Sequence, residues 1–146
     1  MIIIERILCA TDFSETSKKA VRLANDLAVQ LQAELVLVHV VQPITPLPDI
    51  ESLGSFDLRL YEDTLRRSME NKLKDLVAIM ISKPIVVRAV TLYGHPADMI
   101  AGLADKEGAS LIVMGTHGMT GWRHYAHGSV AQKVIQRTSR PVLLVH

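Results

Sequence analysis

The chain reads as an α/β fold, a parallel sheet with helices on both faces, and three observations lead there. Short apolar runs alternate with segments of helical periodicity along all 146 residues. The runs are apolar at nearly every position, as strands covered on both faces require. Pro and Gly punctuate the junctions, and no repeat, low-complexity tract or composition shift marks a second unit. A three-layer α/β/α sandwich forming one domain over residues 1–146 is therefore expected.

The first strand is expected from Ile2 to Ala10. It takes in the Met1–Ile4 run, which is too short for a signal-peptide core or a membrane span. Thr11-Asp12-Phe13-Ser14 ends it. A helix follows with Ala20, Leu23, Ala24, Leu27, Ala28 and Leu31 on its apolar face. Asp12 with Glu15 three residues on has the form of a capping box, and Ser14 is a rival cap. Leu35 to Val41 is a second buried strand, broken only by His39, which reads as a hydrogen-bonded core histidine rather than a ligand.

Residues 42–55 carry Pro43, Pro46, Pro48 and Gly54, so they form a long connection, either a lid or a solvated link. Leu58, Tyr61, Leu65, Met69, Leu73, Leu76 and Met80 mark a long helix, with Arg66 and Arg67 on its solvated side. Ile85 to Leu92 is the third strand. Pro96 stands in the first turn of the next helix, whose apolar face is Ala97, Ile100, Leu103 and Ala104 and whose end is Gly108. Ser110 to Met114 is the fourth strand. A glycine-punctuated loop, a helix from about Ser129 and a last strand from Pro141 to Val145 complete the chain.

Lys and Arg number 16 against 15 Asp and Glu, a formal net charge of +1, without the basic excess of a general nucleic-acid binder. One cysteine, Cys9, lies in an apolar run, so no disulfide forms within the chain; a lone buried thiol fits a reducing, cytoplasmic setting.

The segment from Gly115 to Ser129 carries the chemistry. A helix N-terminus leaves its first four N–H groups unpaired, and glycines let the backbone approach an anion closely. GxxxxGK[ST], GxGxxG and GxSxG are all absent, which excludes a P-loop, the dinucleotide fingerprint and a nucleophile elbow. What stands there is G-x2-G-x9-G-S, on Gly115, Gly118, Gly128 and Ser129.

At these residues the chain resembles the universal stress protein family, in its ATP-binding branch. Ile7 to Ser14, Leu37 to Val40, Leu111 to Gly118 and Arg140 to Val145 are similar to family blocks at matching distances, so the resemblance spans the whole chain. It implies a Rossmann-like fold related to the adenine nucleotide alpha hydrolases, a five-stranded parallel sheet in order 3-2-1-4-5. Strands 1 and 4 would then lie at the topological switch point, where open α/β sheets bind ligands. The resemblance places Ala10 and Thr11 against the nucleoside and Asp12 against the ribose and phosphate end. Val40 would meet the adenine edge, and Met114 and Gly115 would flank the ribose. Gly118, Gly128, Ser129 and Val130 would hold phosphates through N–H groups and the Ser129 hydroxyl. Ala10 stands where some ATP-binding relatives have proline.

Other readings stay open. Asp12 and Ser129 also suit helix caps. His117, His124 and His127 lack the acidic or cysteine partners and spacing of a zinc site. Trp122 and Tyr125 either cover a ligand or partner or pack back on the domain. Phosphoryl transfer needs charge stabilisation and an oriented nucleophile. Asp12 could hold nucleotide-bound Mg²⁺ through water and Arg123 could swing in, but no base–nucleophile pair is evident. A helix terminus contributes about 0.3–1 kcal/mol, against barrier reductions of roughly 8–23 kcal/mol in enzymes.

The expectation is thus an ATP-binding regulatory, stress-response protein with at most slow hydrolysis and no catalytic residues, with ADP or AMP as alternative nucleotides. A weak ATPase or adenylate-handling enzyme, and a structural dimer module without nucleotide, are the alternatives. The apolar last strand, residues 141–145, would lie at the sheet edge; pairing with its copy gives a homodimer, which the resemblance also implies. A downstream protein partner is expected, and neither a nucleic acid nor a membrane.

Overall fold

The computed structural model describes residues 1–43, 57–81, 84–117 and 128–146. Strands β1 (Arg6–Ala10), β2 (Glu34–Val41), β3 (Val87–Tyr93), β4 (Leu111–Gly115) and β5 (Val142–Val145) form one sheet. Its order is β3-β2-β1-β4-β5 with all pairs parallel, as expected. Helices α1 (Glu15–Leu31), α2 (Leu58–Met80), α3 (Pro96–Lys106) and α4 (Ser129–Arg137) join the strands.

Strand periodicity of two divides the core. Ile7, Cys9, Leu35, Leu37 and Val113 face α1 and α2, where Ala20, Val21, Ala24, Ala28, Leu73 and Leu76 meet them. Leu8, Val36, Val38, Ile112 and Met114 face α3 and α4. Fully burying one such leucine contributes about 1.5–3 kcal/mol, more than any single surface charge pair here.

Several boundaries and faces differ from expectation. β1 begins at Arg6, not Ile2, because its neighbours begin opposite Arg6 and Ile7, at Glu34 and Leu111, and leave residues 1–4 no ladder to join. Met1, Ile2 and Ile3 are exposed. On α1 the buried face is Ser17, Ala20, Val21, Ala24, Asn25 and Ala28, while Leu23 and Leu31 are exposed. The small residues let the helix close on the sheet, turning the leucines outward. Only Leu73 and Leu76 of the long α2 stripe are buried. β3 runs from Val87 to Tyr93, where it pairs with Val41, instead of from Ile85 to Leu92; β4 runs from Leu111 to Gly115 instead of from Ser110 to Met114, and β5 starts at Val142 instead of Pro141.

The helix caps are also corrected. Ser14 caps α1, accepting from the Ser17 amide at 3.2 Å, so Asp12 and Glu15 form no capping box. α4 is capped by Gly128, and Ser129 is its first helical residue. As expected, Pro96 opens α3, and Gly108 follows it with φ +62°.

The strand N-termini carry a charge network. The Glu34 carboxylate accepts from Arg6 Nε at 2.7 Å and Arg88 Nε at 2.6 Å, and Arg88 also binds Glu107. The Arg88 guanidinium, followed by that of Arg6, holds the Glu34 carboxyl below the usual carboxylate range. Among the described residues, no helix is long and apolar enough to cross a membrane.

Candidate functional site

β1 and β4 lie side by side where the strand order reverses, and beyond their C-terminal ends opens a cavity of about 360 Å³. Its walls include Ala10, Thr11, Asp12, Val40, Met114, Gly115, Gly128, Ser129 and Val130. These are nine of the ten residues that the sequence resemblance brings to a nucleotide. The tenth, Gly118, lies outside the described residues, as do Trp122, Arg123, His124, Tyr125, His127 and most of the 42–55 connection. Val38, Val40, Ile100 and Met114 supply apolar surface, and Asp12 is the carboxylate among the lining residues.

The β1–α1 turn is held from several sides. Thr11 Oγ1 accepts from the Phe13 amide at 3.0 Å and lies 2.9 Å from Ser17 Oγ. Ser17 Oγ donates to the Ser14 carbonyl at 2.9 Å, so the Thr11 hydroxyl donates to Ser17. Asp12 Oδ1 accepts from the Ser14 amide at 3.0 Å. Phe13 adopts φ +66°, a left-handed conformation that costs a residue with a Cβ about 1–2 kcal/mol. His39 Nδ1 donates to the Thr11 carbonyl at 2.8 Å, so the histidine is hydrogen-bonded as expected, but it is only partly buried and lines the cavity instead of lying in the core. Burial is the main cause that lowers its pKa, opposed by that hydrogen bond and the Asp12 charge.

Across the cavity, packing requires glycine at two positions. A Cβ on Gly115 would stand 3.0 Å from Thr16 Cγ2 and 3.2 Å from the Ser17 amide, so its absence lets β4 meet α1. A Cβ on Gly128 would stand 2.5 Å from the Thr116 carbonyl oxygen and 3.3 Å from His117 Cα. The Gly128 amide donates to that same carbonyl. The Gly128 N–H, expected at a phosphate, is thus also used within the chain. The donors that helix geometry leaves to a ligand are the first-turn amides of Ser129, Val130 and Ala131, all on the cavity wall.

Ser17, Gln42, Pro96, Ile100 and Thr116 also line the cavity and were not singled out from the sequence. Pro96 and Ile100 are one turn apart at the start of a helix that follows a strand. That spacing alone could have placed them at the same edge of the sheet. Thr116 is fully buried, with its hydroxyl 2.9 Å from His117 Nδ1 and 3.3 Å from His146 Nδ1. Cys9 is buried, and burial pushes its thiol up to about 12, which makes it unreactive. Among the described residues, no cluster of three or more His, Cys, Asp or Glu is arranged for a metal.

Comparison with known proteins bears on the family and the fold. The model of the universal stress protein family matches residues 4–146. Universal stress protein MJ0531 of Methanocaldococcus jannaschii is 33% identical over 141 residues, covering 97% of this chain and 81% of that protein. The structure of MJ0577, a universal stress protein from the same organism, superposes with a TM-score of 0.83 at 29% identity, covering 99% of this chain and 96% of that one. A universal stress protein from Archaeoglobus fulgidus, solved in complex with dAMP, shares the fold with a TM-score of 0.67 at 23% identity and full coverage of both chains.

Proposed function

This chain belongs to the universal stress protein family, and on that premise we propose that it is an ATP-binding regulatory protein of the stress response. The observation that carries the reading is the cavity at the switch point. Its volume of about 360 Å³ falls in the range of roughly 300–1,000 Å³ usual for small-molecule sites. Its wall joins an apolar patch suited to a base, a carboxylate suited to ribose hydroxyls, and a helix N-terminus suited to phosphates.

The residues divide the ligand between them. Val40, with Val38 and Ile100 beside it, faces the adenine; Ala10, Thr11, Met114 and Gly115 enclose the nucleoside. Asp12 meets the ribose and phosphate end, where Mg²⁺ bound to the nucleotide would find one carboxylate through water. Ser129 offers its hydroxyl and amide to the phosphates, followed by the Val130 amide. Gly118 contributes an amide from the loop, and Gly128 acts by closing that loop. Among the described residues that line the cavity none is a lysine; hydrolysis is slow at most in this reading, and the nucleotide state serves as a signal to a protein partner. The buried Cys9 thiol suits a cytoplasmic setting. Pairing of β5, residues 141–145, with its copy gives a homodimer.

The test is nucleotide carriage. Purified protein should release adenine nucleotide on denaturation, read by absorbance and chromatography, or bind added ATP with a rise in melting temperature. Protein that releases none and is not stabilised by ATP would sink the proposal.

A further inference from the structure

The β1–α1 turn carries a backbone outlier next to the acidic residue of the cavity. Phe13, at φ +66°, directly follows Asp12. A strained backbone persists only where its surroundings over-determine it, and such strain collects at functional sites. The surroundings here are specific. The Phe13 ring packs on the His39 ring with centroids 4.6 Å apart and planes tilted by 43°. Lys72 Nζ, from α2, lies over the same ring at 4.6 Å from its centroid. His39 Nδ1 in turn grips the Thr11 carbonyl at 2.8 Å. The two residues flanking Asp12 are therefore each tied to His39, one through its backbone and one through its ring.

From this geometry we infer that His39 and Phe13 are positioning residues that hold the Asp12 carboxylate for the ribose hydroxyls of the bound nucleotide. This rests on the nucleotide reading of the same cavity and adds what sets its selectivity. His39 also lines the cavity, whereas Phe13 is not among its lining residues, and the positioning role of both runs through the backbone on either side of Asp12. The Thr11 carbonyl fixes the peptide plane before Asp12, and the left-handed Phe13 fixes the one after it. Asp12 is left with little freedom except at its own side chain, which the Ser14 amide orients. A carboxylate pre-set in this way rewards a ligand that bears two hydroxyls and gains nothing from one that lacks them.

The experiment compares binding of ATP and 2′,3′-dideoxy-ATP to the full chain and to His39→Leu, His39→Asn and Phe13→Gly, with melting curves of each protein without ligand. Glycine accepts the left-handed backbone, and asparagine keeps a donor near the position of Nδ1, so these two preserve the local fold. The wild type should prefer ATP. His39→Leu and Phe13→Gly should lose about tenfold in ATP affinity, about 1.4 kcal/mol, with dideoxy-ATP unchanged, and His39→Asn should retain the preference. Variants that keep wild-type affinity and preference, or that lose both ligands equally, would overturn the positioning role. A wild type that binds both nucleotides equally would overturn it too, leaving the nucleotide reading intact. A wild type that binds neither would remove that reading and this inference together.

Discussion

The Gly128 amide donates to the carbonyl of Thr116, twelve residues earlier in the chain, and so ties together the two ends of the loop beside the cavity. Glycine at 128 thus serves loop closure, since a Cβ there would stand 2.5 Å from the carbonyl oxygen. Gly128→Ala should destabilise the fold by about 1–3 kcal/mol, the usual range for overpacking. Gly102 is the control: it lies within α3 with no atom within 4 Å of a built Cβ. Gly102→Ala should stabilise by about 0.5–1 kcal/mol. Denaturant melts of the two variants check both signs.

Ser129 starts α4 on the cavity wall. A hydrogen bond to a charged group contributes about 1.5–3 kcal/mol. Ser129→Ala should therefore weaken ATP by about tenfold or more and leave adenosine unaffected. Titration calorimetry with both ligands reads this directly, and equal losses for the two would contradict a phosphate role.

Acid should weaken the protein in part through His39. Its pKa is lowered from 6.5 by burial, so as pH falls through that value the unfolded chain takes up the proton first. Stability is then full above about pH 6.5, the unfolded value, and declines below it until the folded pKa is reached. The melting temperature of His39→Asn should fall less than that of the wild type between these limits. Parallel curves would show that His39 is not the titrating group.

Arg88 bridges Glu34 and Glu107 at the strand N-termini. The pairs are partly exposed, so Arg88→Met should cost no more than about 1 kcal/mol, and less in high salt. Urea melts at low and high ionic strength measure the difference.

Light scattering tests the dimer. The intact chain should give twice its mass of 16.1 kDa, and a chain ending after Pro141 should give monomer or aggregate. A dimer that survives loss of β5 would place the interface elsewhere.

Much of this was legible in the sequence, and the remainder was not for definable reasons. The runs at Ile7–Ala10, Leu35–Val41 and Leu111–Met114 are apolar because both sheet faces are covered, and their alternation with helices led to the layers. Gly115 and Gly128 looked like concessions to an anion. The pressure on them comes at least as much from Thr16 and from the Thr116 carbonyl, contacts made across 99 and 12 residues respectively that no local pattern encodes. Periodicity misplaces the face of α1 because it weights Leu23 and Leu31 above Ser17 and Asn25. A helix pressed on a sheet selects for small size, and hydrophobicity scales do not see that. The Thr11–Ser17 hydroxyl pair needs both the turn and the helix orientation before it exists. Strand propensity extends β1 back to Ile2 because it does not reveal where the neighbouring strands begin.

The Arg6, Glu34, Arg88 and Glu107 network also bears on time. Its members come from β1, β2, β3 and the end of α3, and the bond from Arg6 to the Glu107 carbonyl spans 101 positions of sequence. Contacts this remote need β1, β2, β3 and α3 in place together, and we expect them to form late on the folding route. Interactions absent from the transition state act on the unfolding rate and leave the folding rate nearly untouched. On that expectation the network is a latch on the lifetime of the folded state, fastened at the strand ends opposite the cavity: Arg88→Met should speed unfolding and leave the refolding rate unchanged in stopped-flow traces.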